Sequence, residues 1–168
     1  MMIRSIKIGD AEKFWQLQSE LDKETKFMML EPDEREKDID RTKGMIESIR
    51  KANDFLFVAE ESGVLIGFIT AGRGSANRIK HRAYVVMGIK EEFHGRGVGT
   101  KLLNELDRWA LEQGIHRLEL TVMTHNVKAL TLYEKCGFVI EGVKKDSMFV
   151  DGEYIDEYYM GKILKSSA

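Results

Sequence analysis

The sequence predicts an α/β sandwich, with helices packed on a mixed sheet in the order βααβββαβαββ. Three observations carry that prediction. Leu118, Leu120 and Val122 alternate with Arg117, Glu119 and Thr121 at the period of a half-buried strand. Leu102, Leu103, Leu106, Trp109 and Ala110 recur at the spacing of a helix packed on a sheet. Glu61-Ser62-Gly63 and Asp151-Gly152 separate pairs of β-rich runs, as hairpin turns do. The 168 residues, 43% of them hydrophobic, fit one domain over 1–168.

Element by element, Ile6 and Ile8 alternate with charged or small residues in a first strand, after which Gly9 and Asp10 read as a turn and helix N-cap. Phe14, Leu17 and Leu21 form one stripe of the first helix. The charged stretch from Glu31 to Ser48, with Ile39, Met45, Ile46 and Ile49, predicts a more exposed second helix that starts near Pro32 and Asp33 and reaches towards residue 52. Phe55 to Glu60 and Val64 to Ala71 form a hairpin, Gly72 to Lys80 reads as a long loop, and Arg82 to Ile89 is a third, largely buried run. Gly114 stops the helix over Gly99 to Gln113. Asn126 to Cys136 returns to helical spacing through Ala129, Leu132, Tyr133 and Cys136 and ends at Gly137; Phe138 to Lys145 and Tyr154 to Leu164 are the last strands.

Composition excludes several classes. With 26 basic against 28 acidic residues, the net charge of −2 gives no general attraction for nucleic acid or an anionic membrane. One Cys rules out an intrachain disulfide and a multi-cysteine zinc site, and His81, His94, His116 and His125 form no HExxH, so no metal is expected. MMIRSIKIGDAEKF lacks the apolar segment of a signal peptide, and no apolar run approaches the ~18 residues of a membrane span. The expectation is a cytoplasmic protein.

The most informative segment is Met87-Gly88-Ile89-Lys90-Glu91-Glu92-Phe93-His94-Gly95-Arg96-Gly97-Val98-Gly99-Thr100-Lys101, a strand leading through three alternating glycines into a long helix. Glycines there let the backbone approach a ligand and turn its N–H groups to one point, and the helix N-terminus adds partial positive charge, which suits phosphate or pyrophosphate. Arg96 and Lys101 add charge. Two phosphate motifs fail: Lys101 follows Thr100 and precedes Leu102, unlike a P-loop, and the third glycine of a dinucleotide fingerprint would fall at Thr100.

His94-Gly95-Arg96-Gly97-Val98-Gly99 resembles the Gln/Arg-x-x-Gly-x-Gly/Ala loop of the GNAT superfamily of acetyl-CoA-dependent N-acetyltransferases, with His94 in place of Gln/Arg. Asn126-Val127-Lys128-Ala129-Leu130-Thr131-Leu132-Tyr133-Glu134-Lys135-Cys136-Gly137-Phe138 is similar to that family's second motif, and the resemblance runs from about residue 3 to 164, within the branch of ribosomal-protein and polyamine acetyltransferases. It implies a mostly antiparallel sheet whose fourth and fifth strands splay, acetyl-CoA as cosubstrate, Gly95 to Thr100 on its pyrophosphate, and the Met87, Gly88 and Ile89 backbone on its pantetheine arm. Gly88 reads as a bulge, with a nearby N–H for the thioester oxygen.

The resemblance also makes Tyr133 the general acid for the departing thiolate, whereas periodicity alone makes it a core aromatic. Asn126 is an N-cap and, by resemblance, a pantetheine or substrate contact. Cys136 is expected to be a buried helix-end thiol, so direct attack in a ternary complex is preferred to an acetyl-cysteine. The strand Ala83-Tyr84-Val85-Val86 offers no carboxylate base, which leaves Glu31, His81, Asp146 or water.

Acidic clusters at Glu31 to Asp40 and Asp151 to Glu157 read as solvated faces or as walls for a cationic acceptor. The acceptor is expected to be a small amine or polyamine; a protein or peptide amine is the alternative, and a non-catalytic acyl-CoA sensor is the reading from another class. Tyr154, Ile155, Tyr158, Tyr159 and Met160 are expected in the core, with a homodimer surface as the alternative.

Overall fold

The computed structural model describes residues 1–165, and their elements follow the predicted order. These are β1 (Met2–Ser5), α1 (Ala11–Glu24), α2 (Ile39–Lys51), β2 (Phe55–Glu61), β3 (Val64–Arg73), β4 (Arg82–Ile89), α3 (Val98–Glu112), β5 (Arg117–Met123), α4 (Val127–Lys135), β6 (Val139–Val150) and β7 (Glu153–Ile163). Two compact units share them. One holds Met1–Gly72 and Val86–Leu106; the other holds Arg73–Val85 and the chain from Asp107 onward.

In the first unit β1, β2 and β3 pair antiparallel, and α1 and α2 close over a core that includes Phe14, Leu17, Leu21, Ile46, Leu56, Val58, Leu65 and Phe68. Phe14 meets Phe68 edge to face at 5.4 Å, the geometry the ring quadrupoles favour. In the second unit the first residues of β4 pair parallel with β5 at Arg82↔Arg117, Ala83↔Leu118 and Tyr84↔Glu119, and β5, β7 and β6 follow antiparallel. Within this unit the parallel ladder takes up the first three residues of each strand. Leu118, Leu120, Val122 and Met160 are buried on one face. Asp151 and Gly152 both have positive φ, 51° and 79°, which is the turn that matches the twist of β6 and β7.

Local chemistry moved several boundaries. The first strand stops at Ser5; Ile6 is buried, its N–H bonded to Leu56 O, while Ile8 is exposed. Asp10 stands at the N-cap of α1 as read, but its carboxylate makes no bond to that helix's first turn; it accepts from Arg4 at 2.7 and 2.9 Å and, capping the preceding 3-10 turn at Ile8–Asp10, from Lys7 N at 2.8 Å. The second helix starts at Ile39, not near Pro32, because Asp38 is the residue whose carboxylate accepts from a first-turn N–H (Arg41 N, 3.0 Å), while Asp33 sits at φ 68°. The β2–β3 turn is Ser62-Gly63, both at positive φ. β4 alternates, where a largely buried run was expected, with Tyr84 and Val86 exposed. On β7 the core expectation holds for Met160 and fails for Tyr154 and Tyr159, which are 68% and 45% exposed. β6 runs on to Val150, with register shifts at Ile140/Gly142 and Lys144/Met148.

Candidate active site

In the first unit, β4 delivers Met87–Ile89 to a short 3-10 turn at Glu91–Phe93, and the chain then enters His94–Lys101. Gly95 and Gly97 have φ of 73° and 79°, a conformation L side chains rarely adopt, and a Cβ on either would meet nothing within 4 Å. Backbone geometry, not crowding, therefore demands these glycines, and the space above them is open. α3 begins at once: Lys101 N bonds Gly97 O at 3.1 Å, so the N–H groups of Val98, Gly99 and Thr100 lie in the first turn, where no intrahelical acceptor exists. Val98 and Gly99 are buried, Thr100 is half-buried and Lys101 is exposed. Open backbone donors, positive φ on both sides of Arg96 and a helix N-terminus form a cradle that fits an anion.

The loop is tied to its surroundings. His94 Nε2 lies 2.8 Å from Ile89 O, bridging the loop back to the end of β4. Lys90 N donates to Ile66 O at 2.9 Å, Lys90 pairs with Glu20, and Glu91 N donates to the Glu24 carboxylate. The Lys90 contact and the Gln16 amide hold the Glu20 carboxyl below its ordinary range, Lys90 most strongly. Arg96, read from sequence as a direct phosphate contact, is engaged by Glu61. Packing explains Gly88: a Cβ there would come within 2.8 Å of Leu21 Cδ1 and 3.0 Å of Phe68 Cε1.

In the second unit, Asn126 Oδ1 accepts from Ala129 N at 3.4 Å, a long bond that still places Asn126 as the cap of α4. Tyr133 is 7% exposed and meets Phe138 edge to face at 5.7 Å. Burial, followed by the nearby Tyr84 phenol, pushes the Tyr133 hydroxyl well above its ordinary value, so it stays a proton donor at neutral pH. Tyr84 Oη and Thr121 Oγ1 are 2.7 Å apart, and the sequence did not single out either hydroxyl. Cys136, expected to be buried, is half-buried at the end of α4.

The candidate bases fall in different units. Glu31 belongs to the first unit and is exposed, with its own N–H donating to Glu34. His81 and Asp146 belong to the second; His81 is tilted 6.3 Å from His116, and Asp146 sits at φ 48° with its N–H on Asp156. The acidic clusters are partly spent on local contacts: Asp33 with Lys23, Asp38 as a cap, Asp156 with Lys145, and Glu157 with Ser147. Among the described residues no group of three or more His, Cys, Asp or Glu is placed to hold a metal ion, and no helix is long and apolar enough to cross a membrane.

Comparison with known proteins agrees with this fold. The chain is 34% identical over 110 residues to the L-amino acid N-acetyltransferase AaaT of Escherichia coli K12, covering 63% of this chain and 66% of that protein. It is 37% identical over 81 residues to the spermidine N(1)-acetyltransferase of Vibrio cholerae, covering 48% and 47%. The matched regions thus span just under two thirds of the first relative and about half of the second. An acetyltransferase of the GNAT family from Streptococcus pneumoniae superposes with a TM-score of 0.93 at 29% identity, over 98% of this chain and 99% of that one. Residues 14–138 match the acetyltransferase (GNAT) family profile, and the chain belongs to that family.

Proposed function

We propose that this protein transfers an acetyl group from acetyl-CoA to the primary amine of a small acceptor, an amino acid or a polyamine, by direct attack in a ternary complex. The cradle at Gly95–Thr100 carries the reading: open space over two positive-φ glycines at a helix N-terminus fits a pyrophosphate. Acetyl-CoA supplies the activated thioester. Gly95 to Thr100 bind its pyrophosphate through backbone N–H groups, with Lys101 beside them, and His94 holds the loop to Ile89. The Met87, Gly88 and Ile89 backbone is assigned to the pantetheine arm, with Asn126 as a further contact.

Tyr133 donates its phenolic proton to the departing thiolate, a proton any phenol retains at neutral pH. The acceptor amine, of pKa near ~10.4 in a lysine-like group, must reach the site neutral. No carboxylate stands on β4, so water relays that proton to solvent. Small acceptors are favoured because the two curated relatives are named for an amino acid and for spermidine.

A free-thiol release assay with acetyl-CoA against amino acids, polyamines, aminoglycosides and short peptides tests this, with cofactor binding followed by calorimetry. Release that depends on an amino acid or polyamine is the expected result. Release with peptides alone would move the acceptor to a protein amine. Binding with no release from any acceptor would favour an acyl-CoA sensor, and absent binding would remove the reading.

A further inference from the structure

The β2–β3 hairpin holds the Arg96 side chain. Nη2 of Arg96 donates to Glu61 Oε1 at 3.0 Å and Nη1 to Oε2 at 3.4 Å, and the guanidinium carbon lies 5.1 Å from the centre of the Phe93 ring. A β-bulge brings Glu61 there. β2 and β3 are in register through Ala59↔Gly67 and then shift, so that Glu60 faces Leu65 and Glu61 faces Val64. A bulge re-aims the side chains beyond it. Ile66, left out of the register, presents its carbonyl to Lys90 N, so the same irregularity also fixes the start of the connection into the loop. Lys13 Nζ anchors the hairpin tip at Gly63 O, 2.8 Å away.

We propose that Glu61 is a positioning residue for cofactor binding: it anchors Arg96 and thereby fixes the Gly95–Gly97 backbone in the conformation that receives a phosphate. This rests on the reading of the loop as the acetyl-CoA site. Glycines lose more conformational freedom on ordering than any other residue, so a loop with two of them binds well only if something else holds its shape. Arg96 is the residue between two positive-φ glycines, and its fork is already shared with a carboxylate and laid over a ring. Arg96 therefore acts as a strut between loop and hairpin, not as a mobile phosphate ligand.

Acetyl-CoA affinity is measured by calorimetry on the full chain carrying Glu61→Gln, Arg96→Gln or both. Each single change is expected to raise Kd about three- to five-fold, the scale of an exposed ion pair, with the double no worse than either single. KM for acetyl-CoA should rise by the same factor, added salt should shrink the difference, and Glu61→Asp should recover part of it. The proposal is overturned if Glu61→Gln binds as well as or better than wild type. An Arg96→Gln loss much larger than that of Glu61→Gln, with additive losses in the double, overturns it too, because Arg96 would then contact phosphate directly. Wild-type protein that binds no acetyl-CoA, or a Gly97→Glu protein that binds it normally, removes the loop reading itself and this proposal with it.

Discussion

Asp22 and Arg35 allow a sharp test of how the segment between α1 and α2 is held. Asp22, on α1, has a side chain 1% exposed; Arg35 Nε and Nη2 reach it at 2.8 and 3.1 Å, and the Arg35 side chain is 21% exposed. The two partners therefore differ in what each leaves behind. Arg35→Met strands a carboxylate in the interior with no cation, a change worth about 3–5 kcal/mol for a buried pair and nearer the lower end here, since the segment can swing aside and admit water. Asp22→Asn leaves a guanidinium that already touches solvent and an amide oxygen that can still accept, so about 1–2 kcal/mol is lost. Thermal unfolding at neutral pH should show the ordering. At about 2–4 °C per kcal/mol for a chain this long, Arg35→Met should lower Tm by about 6–12 °C and Asp22→Asn by about 2–8 °C. A double change to packed apolar residues, Asp22→Leu with Arg35→Met, should recover most of the loss. An Asp22→Asn loss equal to or above that of Arg35→Met would refute the argument from unequal burial.

Gly97→Glu should abolish calorimetric binding of acetyl-CoA by placing a carboxylate in the open cradle, while Gly97→Ala, strained by about 1–2 kcal/mol at positive φ, should weaken it and lower Tm slightly. Tyr133→Phe should leave cofactor affinity intact and reduce kcat; equal turnover would assign thiolate protonation to another group or to water. The raised Tyr133 hydroxyl also has a stability consequence. Once pH passes the ordinary phenol value of about 10, the unfolded chain loses that proton while the native one keeps it, so stability should fall with rising pH above that point. Urea titrations from neutral to alkaline pH should show that fall reduced in Tyr133→Phe.

Much of this protein is legible in its sequence because the signals are local. The stripe Leu102, Leu103, Leu106 and Ala110, the alternation Leu118, Leu120 and Val122, and the turn at Asp151-Gly152 are backbone periodicities and dihedral preferences. The structure places them as read. Gly95 and Gly97 announced the cradle for the same reason: positive φ leaves a glycine behind in the sequence.

Hidden from the sequence are the partners that a side chain meets from far along the chain. Arg96, expected to meet phosphate, pairs with Glu61, 35 residues away along the chain. Tyr84 met Thr121 across the β4–β5 ladder, a contact set by register alone. The sequence by itself determined the element order, the helix stops and the loop that resembles a phosphate cradle, because each depends on a few adjacent residues. Tertiary structure alone decided which charges are spent on one another, which aromatics of β7 stay exposed and where the Ala59/Glu60 bulge aims Glu61. Ion pairs and packing depend on distances in space that sequence separation does not encode.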